Sequence, residues 1–140
     1  ALAKGFEKAG KSAVDFDISA QVVTATGLNE EQLQAAIFSA RSQIAFYAST
    51  PAYLPVLQTH GWEAMQPEAN RLSREGKWME MAELVDDEIL NTFALVGEPL
   101  DVAHALVKRF DGKVARVSPV IYSPDTELLQ TLVENIRGVQ

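Results

Sequence analysis

The chain has 140 residues, 12 basic and 19 acidic for a net charge of −7, with 47% hydrophobic residues and no cysteine. This length suits one domain or a piece of one. The acidic balance excludes a nucleic-acid or anionic-membrane surface, which needs clustered positive charge, and without cysteine there is no disulfide, thiolate metal site or cysteine nucleophile.

No apolar run approaches the ~20 residues of a membrane span, and the opening ALAKGFEKAG lacks the apolar core of a secretory signal. The chain reads as a soluble, cytoplasmic, acidic globular protein. It starts at Ala1 in mid-pattern, as a segment of something longer would. Residues 1–11 read as the tail of a helix stopped by Gly10. In FDISAQVVTATG, Phe16, Ile18, Ala20 and Val22 fall on one face while Val23 and Ala25 add apolar surface to the other. That pattern predicts a strand over about residues 16–25, covered on both sides as in a parallel sheet or barrel. A long helix follows. Asn29 is a good N-cap, Gln32 stands three residues on to complete a capping box, and Leu28 and Leu33 sit at staple positions. Glu30 and Glu31 place charge against the positive dipole end, and Leu33, Ala36, Ile37, Ala40, Ile44, Tyr47 and Ala48 recur at helical spacing to about Ser49.

Thr50 and Pro51 then read as N-cap and N1 of a short helix ending near His60 and Gly61. Pro67 opens another helix that Gly76 closes. Trp78, Met81, Ala82, Leu84 and Val85 make the stripe of a third, and Asp86 or Asp87 caps a fourth through Phe93. Pro99 starts an amphipathic helix (Val102, Ala103, Leu106, Val107, Phe110) ended by Gly112. VARVSPVIY, residues 114–122, reads as a second strand in which Pro119 implies an edge, a bulge or an end. Ser123 and Pro124 read as cap and N1 of the last helix, with Leu128, Leu129, Leu132, Val133 and Ile136 buried and Gly138 near its stop. Two strands joined through helices lie parallel. They are too few to satisfy their own edges, so the pattern is part of a sheet.

Motifs of chemistry are scarce. His60 and His104 share no metal-ligand spacing. Asp101 and His104 lie at i, i+3 and read as a surface ion pair. Asp86, Asp87 and Glu88 read as helix-start charge rather than an acid/base set. Thr24, Ala25, Thr26 and Gly27 form a strand-to-helix turn able to offer backbone N–H groups to an anion, a weak signal by itself. Trp62, Trp78, Met79 and Met81 sit among helical apolar residues and read as core.

One stretch is more distinctive. RSQIAFYASTPAYLPVLQTHGW, residues 41–62, followed in step by SREGKWMEMAELVDDEILNTFALVG, GEPLDVAHALVKRF and VARVSPVIY, resembles the C-terminal segment of luciferase-like flavin or deazaflavin oxidoreductases. The resemblance is to the subgroup using coenzyme F-420, and it covers nearly the whole chain. Two positions depart from the family pattern: Glu98, where Thr is common, makes a poorer helix cap, and Pro119 is awkward inside the eighth strand.

The resemblance implies an α/β fold class: the helix-rich C-terminal portion of a (β/α)8 TIM barrel, with two parallel strands and about seven helices. Residues 1–140 would then be a single incomplete domain, since such a barrel needs eight strands and ~250 residues. It further implies a hydride transfer between coenzyme F-420, or alternatively FMN, and a small-molecule organic substrate, with most coenzyme contacts on strands this chain lacks. The intact parent would be an oxidoreductase or monooxygenase, and the fragment alone inactive. Chemistry in a barrel sits at the C-terminal strand ends, which selects Thr26, Gly27 and Ser123 as cofactor-side residues, with no catalytic residue assigned and no metal. Residues 97–99 belong near that face. After ~30 Å of helix, Thr50 and Pro51 belong near the opposite one, so residues 46–53 read as structural, in packing or subunit contact. Family likeness also implies a homo-oligomer, with no nucleic-acid or membrane partner. The rival from another class is a non-enzymatic helical interaction or regulatory module that completes its sheet by self-association.

Overall fold

The computed structural model describes residues 2–12, 16–122 and 125–139. Helix α1 (Leu2–Ala9) precedes strand β1 (Ser19–Ala25) and the long helix α2 (Glu30–Ser49). A 3-10 turn (Pro51–Tyr53) then leads into α3 (Leu54–His60), α4 (Met65–Arg74), α5 (Trp78–Glu83) and α6 (Asp87–Phe93). Strand β2 (Ala94–Val96), helix α7 (Pro99–Phe110), strand β3 (Arg116–Val120) and helix α8 (Thr126–Gly138) complete the order. The fold is α/β, as the sequence predicts.

The strands form one parallel sheet in the order β2-β1-β3. The two expected strands are there and pair directly, from Ser19 opposite Arg116 to Val23 opposite Val120. A third strand corrects the count of two. β2 pairs with the other edge of β1, Val23 to Ala25 opposite Ala94 to Val96. Three residues directly after a helix carry too little periodicity to be read as a strand. Both strand ranges also shorten, from 16–25 and 114–122. The ladder starts where the Ala115 and Arg116 N–H groups donate to Ile18 O at 2.8 and 3.2 Å. Below it, Asp17 pairs with Arg116 and Phe16 packs on Phe6, ring centroids 4.9 Å apart, instead of on the sheet. Pro119 sits in edge strand β3 opposite Val22, where an absent N–H can face the open side.

Alternate residues of β1 feed two cores, as a strand's period of two requires. Val23 and Ala25, with Ala94, face α2, α4, α5 and α6, where Ala36, Ala40, Ile44, Ala69, Leu72, Met81, Val85, Ile89 and Leu90 are buried. Val22 and Leu95 face Val102 and Leu106 of α7 and Leu132 of α8. The sheet is covered on both faces, as its double-sided apolar pattern predicts. The buried face of α2 is mostly alanine, which lets α4 and α5 pack close to its axis.

Local signals explain most helix ends. Asn29 Oδ1 accepts from the Gln32 N–H at 3.0 Å, and Gln32 Oε1 returns to the Leu28 N–H at 2.8 Å, a capping box displaced by one residue. Asp86 caps α6 by accepting from the Ile89 N–H. Gly61, at φ 77°, closes α3 in the left-handed region that only glycine enters cheaply. Four expectations change. Thr50 makes no side-chain cap, because its hydroxyl turns back to Phe46 O. α4 begins at Met65, two residues before Pro67. The expected cap at Ser123 and Pro124 lies outside the described residues, and Asp125 caps α8 instead, accepting from the Glu127 and Leu128 N–H groups. Trp78 and Met79 are 51% and 64% exposed rather than core, while Met81 is buried and Trp62 packs partly against the core. α5 is six residues long, so only Met81 and Ala82 turn inward and its first two positions point to solvent.

Candidate functional site

Because the three strands are parallel, their C-terminal ends rise on one side of the sheet. Two bonds tie the segments leaving them. The Gly97 N–H donates to Ala25 O at 3.1 Å, which holds the start of α7 against the exit of β1. Gln32 Nε2 donates to Asp125 Oδ2 at 3.0 Å across 93 residues of sequence. The same Gln32 closes the α2 cap and the same Asp125 closes the α8 cap, so the two strand-exit turns are one hydrogen-bonded unit. Residues 97–99 therefore lie at this face, as expected from the chain path.

Thr26 and Gly27 sit at the centre of this cluster, both buried. Thr24 satisfies its hydroxyl on Val22 O, whereas Thr26 Oγ1 is fully enclosed and has no hydrogen-bond partner, a loss of about 1–3 kcal/mol for a buried hydroxyl. Gly27 is required by the chain itself: a Cβ there would stand 2.7 Å from the carbonyl carbon and Cβ of Gln32. The absent side chain lets the first turn of α2 close over the strand end. Ser123, the third sequence-selected residue, lies outside the described residues. Its neighbour Tyr122 is 37% exposed, and partial burial, with a lesser contribution from the nearby Tyr47, raises its phenol above the ordinary tyrosine value.

Asp125 was not selected from the sequence, since Ser123 and Pro124 gave the stronger-looking helix start. Asp125 two residues before Glu127 is a comparable cap signal. The Gln32 to Asp125 link joins residues too far apart for any local pattern to show. Asp101 and His104 form no ion pair among the described residues, where no group of three or more His, Asp or Glu is placed to hold a metal. No described helix is long and apolar enough to cross a membrane.

Residues 46–53 lie elsewhere. Tyr47, Ala48 and Tyr53 line a groove of about 260 Å³ with Gln21, Val22, Val23, Ile44, Val56, Leu57 and Phe93, beside the middle of β1 rather than its exit.

Comparison with known proteins fits this geometry. Residues 1–116 match the family model described as luciferase-like monooxygenase. Uncharacterized proteins of Mycobacterium tuberculosis and Mycobacterium bovis are 42% identical over 137 residues, 98% of this chain and 40% of theirs. The chain thus spans about two fifths of the length of these curated relatives. The coenzyme F420-dependent tetrahydromethanopterin reductase of Methanopyrus kandleri superposes with a TM-score of 0.74 at 20% identity, over 97% of this chain and 39% of that one, a likeness of fold. With a family model spanning α1 to the start of β3 and a parallel sheet whose strand ends converge, the chain belongs to the luciferase-like monooxygenase family.

Proposed function

We propose that this chain is the C-terminal part of an oxidoreductase that moves a hydride between a deazaflavin, or alternatively a flavin, and a small organic substrate. The observation that carries this reading is the convergence of the strand exits, locked by Gln32 and Asp125, on the side where parallel barrels hold their chemistry. Family membership supports oxidoreductase chemistry. The F420 named for the Methanopyrus reductase favours the deazaflavin over FMN.

The described residues do not fit the phosphate-bearing end of either coenzyme. Asn29 occupies an N-terminal donor of α2, and Asp125 occupies donors at the start of α8. Glu30 and Glu31 add negative charge to the first turn of α2, and residues 24–34, 95–104 and 120–130 contain no Lys or Arg. At this face, among the described residues, the buried and unpartnered Thr26 Oγ1 is sealed from solvent. In this reading Thr26 and Gly27 support the strand exit from beneath the mouth and Ser123 is the remaining coenzyme-side residue, while groups outside this chain hold the phosphate. The redox chemistry belongs to the coenzyme, and the protein orients the partners and excludes water.

Two measurements test the reading. The isolated chain, mixed with oxidised or reduced coenzyme, is expected to give no stoichiometric spectral change; tight binding would refute the assignment of the phosphate site elsewhere. Grafted into the Mycobacterium tuberculosis relative in place of the aligned segment, the chain is expected to leave binding of that coenzyme intact. A folded chimera that loses binding, while the parent relative binds, overturns the proposal.

A further inference from the structure

The two cores on either side of β1 are unequal. Fourteen buried residues make the one shared by α2, α4, α5 and α6, and five make the other: Val22, Leu95, Val102, Leu106 and Leu132. Apolar area removed from water sets how firmly a segment is held, so α7, β3 and α8 are the more weakly attached part of the molecule. No residue of β3 is buried. Of the 13 residues of α8, Leu128 and Leu132 are the buried ones. α7 and α8 pack on each other, and the rest of the sheet meets their core through Val22 of β1 and Leu95 of β2.

The polar links across this boundary add modestly to it. Gln32 donates to Asp125, Arg109 Nη2 donates to Asn91 O at 3.3 Å, and Asp17 pairs with Arg116 in an exposed ion pair, a kind that contributes little. Main-chain bonds join β3 to β1 from Ser19 to Val23, but β3 is an edge strand with no described neighbour on its far side. The chain enters this part through Gly97, whose φ of 146° lies where glycine moves without steric cost. Few buried apolar contacts behind a glycine joint mark a segment that opens before the rest unfolds.

We propose that α7, β3 and α8 form a hinged arm that releases from β1 and β2 as one cooperative unit while α2 to α6 stay folded. Gln32 stands on one side of the parting and Asp125 on the other. Release therefore separates the two strand-exit turns, and docking assembles the face where they converge. The arm closes that face: a ligand touching both turns binds the docked state alone and draws the equilibrium toward it. This motion belongs to the chain itself and holds whichever coenzyme the parent uses.

Native-state hydrogen exchange of the full 140-residue chain in low urea, read amide by amide by NMR, tests this. Amides of α7, β3 and α8 are expected to share one opening transition, at lower urea than the transition shared by α2, α4 and α6. Ile44→Val trims the larger core alone; it is expected to speed exchange in α2 and α4 by roughly three- to tenfold and to leave the arm unchanged. A Gln21→Cys and Ser118→Cys pair locks the arm. The two positions are partners across the β1–β3 ladder, both are exposed, and the chain has no other cysteine. Paired strands lie ~4.8 Å apart, within reach of a disulfide. Oxidation is expected to slow exchange in the arm at least about tenfold, and reduction to restore it. One transition common to all elements of the wild type overturns the proposal. So does an arm that speeds up with α2 in Ile44→Val, or one that opens as readily with the disulfide formed as without it.

Discussion

Replacing Gly27 by alanine measures how tightly the strand exit and α2 are joined. The backbone at Gly27 is not in the left-handed region, so alanine adopts it without strain and the effect is one of space. The new methyl would lie 2.7 Å from the Gln32 carbonyl carbon and Cβ, and closer still to the Leu33 backbone nitrogen. Restoring ordinary contact at 3.4 Å requires the first turn of α2 to retreat by about 1 Å. Overpacking of this kind costs about 1–3 kcal/mol. The same retreat carries Gln32 Nε2 out of reach of Asp125, now 3.0 Å away, for about 1 kcal/mol more. Reduced freedom of the unfolded chain returns up to about 1 kcal/mol. The expected net loss is about 2–3 kcal/mol, or roughly 6–10 °C in Tm for a chain of this size. Urea denaturation and thermal melts followed by circular dichroism read both. A Gly27→Ala chain within about 0.5 kcal/mol of wild type would show that α2 does not seat against the strand end, and the reasoning from Gly27 as a packing residue would fail.

Two further outcomes follow from burial. Met81 is 1% exposed and Met79 64%, so Met81→Ala is expected to cost about 2–4 kcal/mol and Met79→Ala under about 0.5 kcal/mol. Similar losses in paired denaturation curves would contradict the placement of α5. Partial burial raises the Tyr122 phenol, with Tyr47 adding to the shift, so Tyr122 should ionise above the ordinary tyrosine range. Its neutral form stabilises the fold fully below the unfolded tyrosine value, and that contribution is lost as pH rises through the folded value. In ultraviolet absorbance titration, Tyr122→Phe is expected to remove the high-pH end of the curve; an unchanged end would refute the assignment.

Much of the fold, and the α2 cap at the candidate site, was legible because these parts are local. Asn29 with Gln32, Asp86 ahead of α6 and Gly61 after α3 announce themselves within three or four residues, the reach of a helix cap. The segment 41–62 and those after it carried the family likeness. Burial of single aromatics was less legible. Trp78 and Met79 have the composition of core, yet a six-residue helix offers only one inward turn, and which residues take it depends on what α2 presents.

The amino-acid sequence by itself determined the alternation of helix and strand, the double-sided burial of β1, the caps that open α2 and α6, and membership of a family. Those properties arise from interactions between near neighbours, from the periods of 2 and 3.6, and from the order of segments. Only the tertiary structure decided that β2 exists, that β1 lies between β2 and β3, and that Gln32 reaches Asp125. Each depends on two segments meeting across long stretches of chain. A three-residue strand exists only because β1 offers it an unpaired edge, and a glutamine chooses a carboxylate only once the folded sheet has brought the two turns together.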